Sequence, residues 1–202
     1  ANRLDKKLTA SSGVPKEGGP VSQGLEAVRF AYPWPADRPD RREVDWALDA
    51  GGRNLITGLI RSRDFSVVLE IGAFLGGSVE TWLAASPAVS VVAIDPWPGG
   101  SWLSGFARQH RQPEWVVRQL ASDAEALYET FVTNMWDDRH RVIPVRGSAL
   151  EVLPTLAQLG LQPDLIYVDA DKTGRELEVC RSLFPHAMLT GDDWFMGTDR
   201  FF

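Results

Sequence analysis

Acidic side chains follow three apolar segments of this chain, at points where a carboxylate could bind hydroxyl groups or a cation. Asp95, Asp169 and the pair Asp192-Asp193 each come directly after a run with the composition of a buried strand. Because ligands of open parallel sheets bind outside the carboxyl ends of the strands, we expect these acids to share one edge. A carboxylate at the position of Asp95 can accept both hydroxyls of a ribose, which suits any nucleoside cofactor.

The segment Val67–Ser78 (VVLEIGAFLGGS) is the most informative stretch of the sequence. An apolar run that contains Glu70 meets three glycines around a sharp turn, and a helical pattern follows. A loop with so little side-chain bulk lets backbone N–H groups and a helix N-terminus approach a ligand closely. Its spacing, E-x-G-x-x-x-G-G, differs from the dinucleotide-binding turn G-x-G-x-x-G. This difference argues against a nicotinamide cofactor, although such a cofactor stays an alternative.

Composition narrows the classes of partner. The 202 residues carry a net charge of −6 and no large Lys/Arg cluster, which argues against nucleic acid or an anionic membrane as the main partner. No apolar run approaches the roughly 20 residues of a membrane span, and a cytoplasmic setting is expected. The single cysteine, Cys180, lies on a helical stripe with Leu177 and Phe184, so we expect a small buried hydrophobe rather than a nucleophile.

Three segments are predicted along the chain. Residues 1–23 are rich in Gly, Ser, Lys and Pro and are expected to form a flexible arm. Residues 24–63 form a helical segment, in which apolar positions keep a helical period over 41–61. Residues 64–202 form the ligand-binding domain, with a Trp/Gly-rich insertion at 96–118 that could be a lid or a substrate-binding loop.

Strands and helices alternate within this domain. Continuous apolar strands predict an α/β fold with a parallel sheet covered on both faces. The predicted strands are Ser66–Ile71, Ser90–Ile94, Arg141–Val145, Asp164–Val168 and Ala187–Thr190. The predicted helices lie at 76–85, between 116 and 135 as one long helix, around 150–156, and at 175–184.

Five motifs at the five strand ends resemble those of the class I S-adenosylmethionine-dependent methyltransferases, in the same order. They are Val67–Ser78, Ile94-Asp95, Arg146-Gly147-Ser148, Tyr167–Lys172 (YVDADK) and Gly191–Asp193 (GDD). The likeness covers residues 66–195 and is greatest to the metal-dependent O-methyltransferases of the catechol and caffeoyl-CoA type. With the strand pattern, the resemblance implies a Rossmann-like, doubly wound, mainly parallel sheet of order 3-2-1-4-5.

The family sheet continues beyond strand five, whereas this sequence stops soon after it. The C-terminal strands of the family are therefore expected to be missing, and strand five would be an exposed edge, which proteins usually cover or pair. We expect that the chain is truncated, or that a partner chain, such as a second copy in a homo-oligomer, covers this edge.

The resemblance also implies a cofactor site. S-adenosylmethionine would be held by Glu70, Gly72, Ala73, Phe74, Gly76, Gly77, Ser78, Asp95, Ser148, Ala149 and Asp169. Glu70 and Gly72 would line its methionine part, with Ser78 a candidate for the methionine carboxylate. Asp95 would hold the ribose hydroxyls, and Ser148-Ala149 would flank the adenine.

A metal site is implied in the same way. Asp169, Asp192 and Asp193 would bind a divalent cation, expected to be Mg²⁺. Lys172 would stand at the place of the general base, and Lys172 and Asp169 would be the catalytic residues. The relatives usually have Asp-Asn where this chain has Asp-Asp, so the extra charge could suit a hard cation or reflect a different metal geometry. Two other roles remain open, a helix N-cap for Asp192 and a surface position for Lys172.

The predicted function is S-adenosylmethionine-dependent methyl transfer, with divalent-metal-assisted O-methylation of a small hydroxylated metabolite. One alternative keeps the cofactor and drops the metal, with transfer to nitrogen, a carboxylate or a metal-free hydroxyl. Another is a catalytically inactive nucleoside-binding module.

Overall fold

The structure of this chain is a computed structural model, and it describes residues 20–45, 53–100, 103, 105, 107, 110–170 and 174–191. Three of the predicted site residues, Lys172, Asp192 and Asp193, lie outside these described residues, as does most of the predicted N-terminal arm. The arm prediction is wrong for its last residues, because a helix begins at Pro20.

Helices and strands alternate along the described chain. The helices are α1 (Pro20–Ala31), α2 (Arg53–Ser62), α3 (Gly77–Ala85), α4 (Glu114–Leu120), α5 (Ala126–Asn134), α6 (Ala149–Gln158) and α7 (Gly174–Leu183), with a short 3₁₀ turn at Trp136–Asp138. The strands are β1 (Val67–Ile71), β2 (Ser90–Asp95), β3 (Val142–Arg146), β4 (Leu165–Val168) and β5 (Met188–Gly191). Each strand agrees with its predicted bounds to within one residue at either end.

All five strands run parallel in one sheet of order β3-β2-β1-β4-β5. The predicted fold class and strand order are therefore confirmed. The central strand β1 is completely buried, as expected for a strand with neighbours on both edges and helices on both faces. The strand order changes direction at β1, with β2 and β3 on one side and β4 and β5 on the other, and such sheets bind ligands in the crevice at this switch point.

Two apolar layers cover the sheet, and alternate residues of β1 enter different layers. Val68 packs with α2 to α5, among them Trp82 of α3 and Phe131 of α5. Leu69 packs with α1, α6 and α7 in the other layer, which includes Cys180. Burial raises the pKa of the Cys180 thiol to about 12, which fits the predicted packing role.

The helix predicted over 41–61 is wrong at its start. Residues 41–45 are not helical, because the Asn134 side chain binds both backbone groups of Val44: its Oδ1 accepts the Val44 N–H at 3.0 Å and its Nδ2 donates to the Val44 carbonyl at 3.1 Å. Arg41 ties the same segment to Asp123 and Glu129. A long-range contact thus overrides the local helical period.

The single helix predicted between 116 and 135 is in fact two helices, α4 and α5. At the break, the Asp123 carboxylate accepts the Glu125 N–H at 2.9 Å, a turn that Asp favours over continued helix. Gly100 lies directly against the last turn of α4, where an added Cβ would stand 1.8 Å from the Leu120 carbonyl oxygen. The break turns α5 toward the carboxyl edge of the sheet. In the described part of the chain, no helix has the length and apolarity that crossing a membrane requires.

Candidate active site

A cleft of about 310 Å³ lies at the carboxyl edge of the sheet, where β1, β2 and β4 end together. The register pairs Ile71 with Ile94 on one side and with Val168 on the other, so the residues after these strands meet. The cleft is lined by Ile71, Gly72, Phe74, Ile94, Asp95, Pro96, Pro98, Leu127, Ser148, Ala149, Asp169, Ala170 and Glu176. Six of the predicted cofactor residues are thereby brought together: Gly72, Phe74, Asp95, Ser148, Ala149 and Asp169.

The glycines after β1 allow the chain to pass close to the end of β4. Gly72 has φ +93°, and a Cβ there would stand 2.1 Å from the carbonyl oxygen of Asp169. Its N–H donates to the Ile94 carbonyl at 2.9 Å, so the loop is also held to β2. Gly76 has φ +90° at the start of α3, and a Cβ there would stand 2.8 Å from the Met135 Cε. Both positions require glycine, and the wall of the cleft stays open at Gly72.

The Asp95 carboxylate is held by two backbone N–H groups, one from the loop after β1 and one from the segment after β2. Phe74 N–H donates to Oδ2 at 2.9 Å, and Trp97 N–H donates to Oδ1 at 2.7 Å. Burial raises the pKa of Asp95 above its ordinary value, and the two N–H groups act in the opposite direction. Each oxygen keeps a free lone pair, so the group can accept two further hydrogen bonds from one ligand.

Glu70 occupies a different place from the one predicted. Its side chain enters the layer of α3 and is fully buried, with 0% of its surface exposed. The Ser78 hydroxyl donates to its Oε1 and the Trp82 indole N–H to its Oε2 at 2.8 Å. Burial raises the pKa of Glu70 to about 8. Glu70 therefore binds two side chains of α3, the helix that follows the glycine loop, and does not line the cleft.

Ser78 also lies outside the lining of the cleft. The residue is buried and its hydroxyl donates to Glu70, and its role toward a ligand carboxylate stays a prediction. Ala73, Gly76 and Gly77 also lie outside the lining of the cleft. Ala73 donates its N–H to the Ile94 carbonyl at 3.2 Å and helps to hold the loop on β2.

The predicted adenine side of the cleft is formed where β3 passes into α6. The Ser148 hydroxyl donates to the Glu151 carboxylate at 2.7 Å, which fixes the first turn of α6. Gly147 donates its N–H to the Asp95 carbonyl at 3.1 Å and joins this turn to β2. Arg146, the last residue of β3, pairs with Glu125 and lies over the ring of Tyr128 at 5.2 Å from its centroid.

Several lining residues were missed from the sequence. Leu127 comes from α5 and Glu176 from the first turn of α7, both far along the chain from the glycine loop. Pro96 and Pro98 come just after β2. Their position in the Trp/Gly-rich insertion was the sequence feature that could have identified them as lining residues. Trp97 belongs to the same insertion, but it has 0% of its surface exposed and does not line the cleft.

Of the predicted metal ligands, Asp169 lies in the cleft, and its N–H donates to the Ile71 carbonyl at 2.8 Å. Asp192 and Asp193 belong to the residues beyond 191 that the structure does not describe. Among the described residues, no group of three His, Cys, Asp or Glu side chains could hold a metal ion. The metal site therefore stays a prediction.

Several solved structures are similar to this chain. The O-methyltransferase TomG from Streptomyces achromogenes, in complex with SAM, matches at a TM-score of 0.50 and 24% identity, over 84% of this chain and 62% of TomG. An O-methyltransferase from Bacillus cereus in complex with SAH matches at a TM-score of 0.44 and 18% identity, over 85% of this chain and 64% of that one. The methyltransferase PaMTH1 from Podospora anserina, bound to SAH, matches at 0.44 and 21%, over 92% and 65%.

The chain spans less than two thirds of the length of each of these three proteins. No family model and no curated protein matches the sequence. At these identities the likeness concerns the fold, and the TomG match supports it. This chain therefore has the parallel α/β fold that TomG also has.

Proposed function

We propose that this chain is an S-adenosylmethionine-dependent methyltransferase and that it methylates an oxygen of a small hydroxylated metabolite. The observation that carries the proposal is the cleft. In it, the loop after β1 has no side chain at Gly72, and the Asp95 carboxylate has two open acceptor positions. A cleft of about 310 Å³ also falls at the lower end of the range for small-molecule sites, roughly 300–1,000 Å³.

The cleft residues fit the parts of this cofactor. Asp95 would accept the two ribose hydroxyls, one on each carboxylate oxygen. Gly72 leaves backbone rather than side chain against the methionine part, where its φ of +93° admits no larger residue without strain. Ala149 and Leu127 offer apolar surface to the adenine. The sulfonium would then lie near Asp169, at the end of β4.

Methyl transfer from a sulfonium is a displacement in which oxygen, methyl carbon and sulfur lie in line. The methyl donor is already activated, so the protein contributes chiefly by alignment of the two reactants and exclusion of water. The apolar wall formed by Phe74, Pro98 and Leu127 serves the second purpose. The acceptor hydroxyl must lose a proton, and we assign Lys172 as the general base that accepts it.

We further propose that a divalent cation, Mg²⁺, binds Asp169, Asp192 and Asp193. Three carboxylates form an oxygen-only donor set of the type that magnesium prefers over zinc. When bound, such a cation would lower the pKa of the acceptor hydroxyl and fix its direction. Support for this part comes from the sequence, together with the position of Asp169 in the cleft. Homo-oligomer formation and a cytoplasmic location also remain predictions.

Isothermal titration calorimetry tests the proposal directly. We expect micromolar binding of S-adenosylmethionine and S-adenosylhomocysteine, and a Mg²⁺ titration of the cofactor-saturated protein that shows one further site. Binding of cofactor without any metal site would favour the metal-independent methyltransferase. Binding of NAD and not of S-adenosylhomocysteine would replace the proposal with a nicotinamide-dependent function.

A methyl-acceptor screen with radiolabelled S-adenosylmethionine separates an enzyme from an inactive nucleoside-binding module. We expect label in phenols or other hydroxylated small molecules, with loss of the signal after chelation and in Asp192→Ala. Transfer that survives both treatments would remove the metal from the mechanism.

A further inference from the structure

Two residues beside Asp95, Phe74 in the cleft lining and Trp97 behind it, adopt a backbone conformation that residues other than glycine usually avoid. Phe74 has φ +46° and Trp97 has φ +40°, and neither is glycine. Such conformations persist where the surroundings over-determine them, and they concentrate at functional sites. The two residues stand 23 positions apart and belong to different loops, after β1 and after β2.

Three hydrogen bonds join these two residues, two through Asp95 and one directly. Phe74 N–H and Trp97 N–H donate to the two oxygens of the Asp95 carboxylate, at 2.9 and 2.7 Å. The Trp97 indole N–H donates to the carbonyl oxygen of Phe74 at 2.6 Å. We call Phe74, Asp95 and Trp97 the clamp. Both backbone polar groups of Phe74 are thus bound, its N–H by the last residue of β2 and its carbonyl by Trp97, two residues later.

The Trp97 ring is itself fixed by the core. It is fully buried and packs on Phe131, at 4.7 Å between ring centroids, and edge-on to Tyr128, at 5.3 Å. Both partners belong to α5, which also supplies Leu127 to the cleft. The orientation of the indole N–H is therefore set before a ligand arrives, and that of Phe74 and Asp95 follows from it.

We propose that Trp97 is a positioning residue for nucleoside recognition, and that it acts through Phe74 on the Asp95 carboxylate. By fixing the Phe74 carbonyl, the indole keeps both open lone pairs of Asp95 directed at the 2′- and 3′-hydroxyls of a ribose. The clamp thereby makes the cleft selective for ribose over deoxyribose ligands. This inference rests on the proposed function, since it takes S-adenosylmethionine as the ligand.

The experiment compares the affinities for S-adenosylhomocysteine and its 2′-deoxy analogue by calorimetry, in wild type and variants. Trp97→Phe keeps an aromatic ring and removes the indole donor. Trp34→Phe is the matched control, because the Trp34 indole N–H donates to a backbone carbonyl, that of Val142, at 2.7 Å on the opposite edge of the sheet. Asp95→Ala marks the complete loss of ribose recognition.

In wild type and Trp34→Phe we expect the missing hydroxyl to weaken binding about tenfold or more, the effect of one hydrogen bond to a charged group. In Trp97→Phe we expect this ratio to fall to about threefold, and in Asp95→Ala to about one. A benzothienylalanine at position 97, which replaces only the indole N–H by sulfur, should give the Trp97→Phe result if that variant folds poorly.

Two results would overturn the inference. One is a wild-type ratio in both variants at position 97. The other is an equal loss of affinity for both ligands, which is what a purely structural role for Trp97 would produce. If wild type itself binds neither ligand, the proposed function fails, and that result is distinct from a failure of the clamp.

Discussion

Two carboxylates at opposite edges of the sheet, Asp164 and Asp95, bind backbone N–H groups in different ways. At the amino edge, one oxygen of Asp164 accepts three bonds, from the Ser66 N–H, the Ser66 hydroxyl and the Val67 N–H, at 2.7 to 3.0 Å. At the carboxyl edge, each oxygen of Asp95 accepts a single N–H. Asp164 ties the starts of β1 and β4 together, whereas Asp95 borders a cleft and keeps acceptor capacity for a ligand.

The backbone around them is less different, because both edges contain residues with positive φ. At the amino edge these are Asp64, before β1, and Gly160, before β4, whose carbonyl lies against Gly24 of α1. At the carboxyl edge they are Gly72, Phe74, Gly76 and Trp97, and two of them, Gly72 and Phe74, line the cleft. The comparison teaches that the two carboxylates differ in what they leave open: Asp164 joins two strands, whereas Asp95 lies at a cleft between two residues of unusual backbone conformation.

Replacing the glycines tests this contrast and should give the largest effects. In Gly72→Ala, the new Cβ meets the Asp169 carbonyl oxygen at 2.1 Å at a φ of +93°. We expect a loss of more than about 3 kcal/mol of unfolding free energy and no binding of S-adenosylhomocysteine. Chemical denaturation and calorimetry at low temperature measure the two quantities.

The matched variant at the other edge is Gly24→Ala, in which the Cβ meets the Gly160 carbonyl oxygen at 2.0 Å. It should be destabilised by its clash and should bind normally in its folded fraction. Gly58→Ala in α2, where an added Cβ meets nothing within 4 Å, should gain about 0.5–1 kcal/mol. Loss of binding in Gly24→Ala would contradict the separation of the two edges.

The buried Glu70 provides a second test, through the pH dependence of stability. The pKa of Glu70 in the folded protein is about 8, above its ordinary value of 4.5, because the side chain is fully buried. The stabilisation from its bound proton is complete below pH 4.5 and is lost as the pH rises through 8. Glu70→Gln mimics the protonated form, with an amide oxygen for the Trp82 N–H and an amide N–H for the Ser78 oxygen.

We therefore expect Glu70→Gln to gain stability relative to wild type between pH 5 and pH 8, by about 3 kcal/mol. Urea denaturation of both proteins at several pH values gives the difference directly. A difference that does not change with pH would mean that Glu70 is ionised throughout, and that the carboxyl edge contains no buried proton. Asp164→Asn, at the amino edge, serves as the control for general effects of removing a carboxylate.

Replacement of Asp164 or Asp95 by alanine should give the smallest effects. It should also separate an effect on stability from an effect on ligand binding most clearly. Asp164→Ala should cost about 1–3 kcal/mol of unfolding free energy, because three donors lose their acceptor, and should leave cofactor affinity unchanged. Asp95→Ala should cost less stability, since a buried charge is removed, and should weaken S-adenosylhomocysteine binding roughly thirtyfold or more. Equal binding by both variants would show that Asp95 has no ribose-binding role.

The parts of the fold that depend on local pattern could be predicted from the sequence. Apolar runs marked every strand to within one residue, because a buried parallel strand needs a continuous apolar segment whatever surrounds it. The turn at Gly72 was equally visible, since only glycine combines a φ of +93° with backbone 2.1 Å from where a Cβ would be. Asp95 follows from the same logic, as the residue after an apolar strand.

What could not be predicted depends on partners far apart in the chain. The non-helical segment at 41–45 is decided by Asn134, and the cleft lining at Leu127 and Glu176 by how α5 and α7 pack. Trp97 lies in the insertion that was expected to contact a substrate, yet it is buried, because α5 supplies two aromatic rings that cover it.

Glu70 shows both kinds of information in one residue. Because successive side chains of a strand point to opposite faces, the sequence shows that Glu70 shares a face of β1 with Val68. Whether that face meets Ser78 and Trp82 depends on how α3 packs on the sheet. The sequence by itself therefore determined the five strands and the chemistry available at their ends. Only the tertiary structure decided which side chains face the cleft, because burial and orientation arise from contacts between segments that no local pattern encodes.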